Sequence, residues 1–125
     1  MKNLSDSEWE VMNVLWGAES LTLAEITARL RSGGISWAGN TVQTFLTRLE
    51  KKGAVIILRD GLPYRYAAAA PRERYECEAV EALKKRVFRG SGLRMVSSFL
   101  SGERLSEEEL AKLREFVDGL GGDEP

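Results

Sequence analysis

The sequence predicts a mainly α fold with one small β-hairpin, and three observations predict it. A Ser or Thr followed three residues later by Glu recurs at Ser5/Glu8, Thr22/Glu25 and Ser106/Glu109, each time beside apolar residues. At that spacing the two side chains satisfy reciprocal backbone donors, so each pair marks a helix start. Residues 40–53, "NTVQTFLTRLEKKG", repeat apolar side chains at helical spacing. "AVIILRDGLPYRYAAA" sets β-prone residues on both sides of the turn formers Asp60 and Gly61, the pattern of a two-stranded hairpin.

The first helix is predicted from about Asp6 to Trp16, with Trp9, Met12, Leu15 and Trp16 inward, ending near Gly17. The second runs from about Leu23 to Arg31 and stops at "SGG", residues 32–34. The third, capped by Ser36 or Asn40, stops at Gly53. Three helices followed by a hairpin form a winged helix-turn-helix domain, placed at residues 1–71.

After Pro71, "RERYECEAVEALKKRVF" reads as a long helix with Tyr75, Ala79, Leu83 and either Val80 or Val87 on its apolar side. "RGSG", residues 89–92, breaks it. A short helix "LRMVSSFL" and a last one from Glu107 to about Asp118 follow. Short helices this apolar do not readily bury their own surface, so residues 72–125 are expected to be a helical dimerisation region. Its seam is expected to hold Tyr75, Leu83, Val96 and Phe99, and then Leu110, Leu113, Phe116 and Val117 from the last helix.

Composition narrows the function. The chain has 125 residues, 43% of them hydrophobic, enough for one compact domain or a small domain with an oligomerisation arm. Its longest apolar run is "AVIIL", residues 54–58, and "MKNLSDSEWE" has no apolar signal region, so a soluble, cytoplasmic protein without membrane insertion is expected. One cysteine, Cys77, and no histidine exclude an intrachain disulfide, the usual zinc sets and histidine general bases. The acids of "SEEEL", residues 106–110, complement a helix dipole. Neither an enzyme nor a metal or cofactor is expected.

The net charge is only −1, but it is unevenly spread: residues 40–74 carry +4 and residues 101–125 carry −5. On the third helix Val42, Phe45, Leu46 and Leu49 share one stripe, leaving Asn40, Thr44, Thr47 and Lys51 opposite and Thr41, Gln43 and Arg48 at the flanks. In a helix-turn-helix this second helix enters the major groove. Thr41, Gln43, Thr44 and Thr47 then face base edges or phosphates, and Arg48, Lys51 and Lys52 lie nearer the backbone. Tyr64, Arg65 and Tyr66 alternate along the second wing strand, one face of which brings Arg65 or Arg59 to an adjacent groove or phosphate. The expected partners are double-stranded DNA and a second copy of the chain. A winged-helix adaptor that binds another protein is the alternative.

"LSDSEWEVMNVLW", "TVQTFLTRLEKKGAV", "YRYAAA" and "LSEEELAKLREFV", in that order, resemble the penicillinase and methicillin-resistance repressors of the BlaI/MecI type, related to the copper-responsive CopY repressors. The resemblance covers nearly the whole chain. It implies a dimeric winged-helix repressor on a palindromic operator, relieved by cleavage in the dimer region after a membrane sensor protease, or a protease downstream of it, responds to a β-lactam or cell-wall signal. The corresponding bond here joins Ser98 and Phe99, with Ser98 where better-known members carry Asn. Ala38 and Asn40 depart from the family pattern before the third helix, which implies a different operator sequence. Residues 101–125 lack the cysteine cluster of the copper-sensing branch.

Overall fold

A computed structural model describes residues 4–121; residues 1–3 and 122–125, the outer ends of the two regions expected from the sequence, lie outside the described residues. The first elements are α1 (Asp6–Leu15), β1 (Leu21–Thr22), α2 (Leu23–Ser32), α3 (Gly39–Lys51), β2 (Val55–Leu58) and β3 (Arg65–Ala68). They are followed by α4 (Arg72–Val87), α5 (Gly92–Gly102) and α6 (Glu107–Gly121). This is the mainly α fold with a hairpin wing that the sequence predicts.

Local chemistry sets the helix ends. The Ser5 and Thr22 hydroxyls accept from the N–H groups of Glu8 and Glu25, whose carboxylates accept in return from the N–H groups of Ser5 and Thr22. The third helix departs from expectation: its N-cap is Ala38, with no side-chain bond, rather than Ser36 or Asn40. Extended backbone at Ala38 turns its carbonyl to accept from Thr41 and Val42, so geometry substitutes for a capping side chain. At the other end Gly53, at φ 79°, lets the Ala54 N–H reach back to the Leu49 carbonyl at 2.9 Å. The chain thereby leaves α3 directly into the wing.

The sheet has one strand more than the hairpin predicted. Its order is β1-β3-β2, all antiparallel, with Leu21 and Ile57 each paired to Tyr66. The two residues of β1 are too few to show a periodicity, and Thr22 is also the cap of α2.

Val11, Met12 and Leu15 from α1, Ile26 and Leu30 from α2, and Val42, Leu46 and Leu49 from α3 fill one core, closed by Val55 and Tyr66 of the sheet. Each such side chain contributes about 1.5–3 kcal/mol on burial, so the three helices fix one another before any external contact is made. Phe45, placed on the same stripe by the sequence, is half-buried and packs its ring 5.1 Å from that of Trp37.

The chain divides into two compact units, one ending at Glu81 and the other starting at Ala82, rather than after Pro71. Tyr75 explains the shift. It is 5% exposed, its ring lies 5.8 Å from that of Trp16, and the Trp16 indole N–H donates to the Ala70 carbonyl at 2.9 Å. Tyr75, expected at a subunit seam, is therefore a core residue of the first unit. Arg72 strengthens the same attachment, donating to Asn13 at 2.7 Å and lying over the Trp16 ring.

In the second unit, α6 begins at the Ser106/Glu109 pair, which forms both reciprocal bonds. Its described helices bury little: Val96, Phe99, Phe116 and Val117 are each more than half exposed, and Leu83, Leu110 and Leu113 are also exposed. Leu100, Leu105, Leu110, Leu113 and Val117 line a groove of about 600 Å³. Among the described residues no helix is long and apolar enough to cross a membrane.

Candidate nucleic-acid interface

With Val42, Leu46 and Leu49 fully buried, the opposite side of α3 has to face outward. Asn40, Thr41, Gln43, Thr44, Thr47, Arg48 and Lys51 are all exposed. The Thr44 and Thr47 hydroxyls donate to the Asn40 and Gln43 carbonyls one turn back, each at 3.0 Å. Those bonds use the hydroxyl hydrogens and leave oxygen lone pairs to accept, so these exposed threonines offer acceptors, and a methyl group each, to base edges.

The expected cations separate into two sets. Arg48 leans over the Phe45 ring at 5.9 Å, and among the described residues neither it nor Lys51 pairs with a carboxylate. Lys52, by contrast, bonds the buried carboxylate of Glu8. Burial pushes the Glu8 carboxyl up, but the Lys52 ammonium and the capping bonds from Ser5 outweigh it and hold the group below the ordinary glutamate value. Lys52 is thus a strut between α1 and α3.

The wing arginines are also held internally. Arg65 donates to the Ser20 hydroxyl at 2.8 Å and the Ser20 carbonyl at 3.0 Å, with Glu25 at 3.7 Å. Arg59 makes a two-pronged pair with Glu50, Nη1 to Oε2 at 2.8 Å and Nη2 to Oε1 at 3.2 Å. Hydrogen bonding from that guanidinium holds the Glu50 carboxyl below its ordinary value. Sequence reasoning placed Glu8 only in its capping box and did not name Glu50, because partners in other elements leave no local signature. At the wing tip Leu62 is 86% exposed, beside exposed Pro63 and Tyr64. Among the described residues no group of acidic and cysteine side chains is arranged to hold a metal ion.

Residues 4–119 match the family model described as Penicillinase repressor. The chain is 32% identical to the Penicillinase repressor of Bacillus licheniformis, over 92% of this chain and 89% of that protein. It is 26% identical to the Methicillin resistance regulatory protein MecI of Staphylococcus aureus, over 92% and 93% of the two chains. Among solved structures, the DNA-binding domain of the repressor BlaI superposes with a TM-score of 0.51 at 36% identity, covering 60% of this chain and 94% of that one. The monomeric form of Bacillus licheniformis BlaI in complex with the blaP half-operator superposes at 0.50 with 35% identity, covering 59% and 89%. With a three-helix core, a wing and an outward α3 supporting a match that runs almost from end to end, the chain belongs to the penicillinase repressor family.

Proposed function

We propose that this protein is a cytoplasmic, homodimeric transcriptional repressor that lays α3 in the major groove of operator DNA. The observation that carries the reading is the outward row Asn40, Thr41, Gln43, Thr44 and Thr47, continued by Arg48 and Lys51, which have no carboxylate partner among the described residues, on a helix whose other side is locked into the core. The half-operator complex of the related BlaI supports it. Thr41, Gln43, Thr44 and Thr47 meet base edges or phosphates, while Arg48 and Lys51 neutralise phosphates and fix register. Lys52 and Arg65 act chiefly through their internal partners, one bracing α3 and the other the wing.

The exposed apolar side chains of α5 and α6 supply the surface for the second copy. Two linked half-site contacts make a paired operator far tighter than either half alone. A cut between Ser98 and Phe99, both exposed on α5, would separate α6 from the DNA-binding unit and lower occupancy by the same factor. A protease under the control of a membrane sensor of β-lactams or cell-wall damage is the agent this reading assigns.

The test is a titration of the full chain against promoter fragments and random duplex at two salt concentrations. Discrimination of about a thousandfold or more, with affinity falling as salt rises, is the expected result. Equal, salt-insensitive binding would replace this reading with that of a protein-binding adaptor.

A further inference from the structure

The charges around α3 are sorted in a way that net charge does not explain. Arg48 and Lys51, on the helix itself, have no carboxylate partner among the described residues, whereas both wing arginines do. Of those two pairings, Arg59 with Glu50 is the tighter, with both terminal guanidinium nitrogens engaged. Arg59 also lies 5.9 Å from the centre of the Tyr64 ring, so the guanidinium is fixed between the last turn of α3 and the far side of the wing. Both partners remain partly open to solvent, Arg59 at 51% and Glu50 at 33% of the side chain. A pair that exposed adds little to folding stability. Its larger effect is on the field: Glu50 cancels one positive charge beside the surface assigned to DNA.

We propose that Glu50 is a specificity-determining residue, withholding Arg59 from sequence-neutral phosphate binding so that discrimination rests on the α3 row; this inference depends on the DNA-binding reading above. Each phosphate neutralised by a cation adds about 0.9 to the slope of log affinity against log salt, and such contacts supply nearly all non-specific affinity. A released Arg59 would meet any phosphate along random duplex. On an operator it meets only the phosphate that the docked α3 leaves in reach, and so it gains less there. The acidic partner therefore widens the gap between operator and random sequence without touching a base.

The experiment measures full-chain wild type, Glu50→Gln, Arg59→Gln and the double variant against two probes over a salt series. One probe is a random-sequence duplex and the other is the tightest duplex selected from a randomised pool. Glu50→Gln is expected to bind random duplex roughly three- to tenfold more tightly at low salt, with a slope steeper by about 0.9 and a smaller ratio between the two probes. Arg59→Gln and the double variant are expected to match the wild-type slope on random duplex. An unchanged slope or ratio in Glu50→Gln overturns the proposal, and so does a flatter slope in Arg59→Gln, which would place that guanidinium on phosphate already. Absence of salt-dependent duplex binding by the wild type removes the DNA-binding reading itself, and is thereby distinguished from failure of the masking alone.

Discussion

Lys52, the C-cap of α3, donates to the Glu8 carboxylate in the first turn of α1, joining the end of the proposed recognition helix to the start of the chain's first helix. Glu8 is 2% exposed and also completes the capping box with Ser5, so one carboxylate holds two helix ends. A buried carboxylate satisfied this fully is costly to disturb, because losing the lysine ammonium leaves its charge desolvated with only the capping bond to offset it.

That arrangement predicts a defined acid sensitivity. The folded-state value of Glu8 lies below its ordinary value, so its contribution is present above the ordinary value of 4.5 and is lost as pH falls below it through the folded value. Thermal unfolding followed from pH 7 downward should show the wild type losing stability in that window. Glu8→Gln keeps the capping geometry but not the charge, and should be about 1–2 kcal/mol less stable at pH 7 with a flatter acid limb. Parallel acid limbs would assign the sensitivity to other carboxylates.

The capping boxes at Ser5, Thr22 and Ser106 were readable because both halves of each signal lie within four residues, and all three form. The α3 stripe was readable for the same reason, since helical period alone decides which face Leu46 and Leu49 bury. Arg65 marks where such reading stops. Strand alternation set it on the face opposite Tyr64 and Tyr66, but not beside Ser20 and Glu25, which arrive from just ahead of β1 and from α2 through chain reversal. Tyr75 is the converse case: helical period identified its apolar side but not that Trp16, from α1, would cover it.

Because Tyr75 closes the first unit, Tyr75→Ala is expected to destabilise that unit by about 3–5 kcal/mol, the usual cost of deleting a buried aromatic ring. Denaturant unfolding monitored by tryptophan fluorescence reports it directly, since Trp16 is the ring it covers. A loss under 1 kcal/mol, together with a change in oligomeric state, would return Tyr75 to a subunit seam.

Thr44→Ala and Arg48→Ala separate base contacts from phosphate contacts. Both side chains are exposed and outside the core, so melting temperatures should stay close to wild type. Thr44→Ala should cost about 1–3 kcal/mol on the operator and little on random duplex, while Arg48→Ala should weaken both and lower the salt slope by about 1. Titration of each variant against both duplexes decides the roles. Unchanged operator binding in both would mean that α3 does not enter the groove.

Leu113 and Phe116 stand on α6 with 39% and 56% of their surfaces exposed, and Leu113 lines the apolar groove. Leu113→Asp in the isolated chain places a charge on an already exposed surface and should leave helix content unchanged. In a dimer the same charge would be buried without a partner, at a cost of several kcal/mol or more, and Phe116→Asp acts in the same way. Light scattering is therefore expected to give a dimeric mass for the wild type and a monomeric mass for either variant. Operator affinity should fall in step, because each half-site then binds alone, while binding to a single half-site should stay as in the wild type. Dimers persisting in both variants would move the interface away from α6.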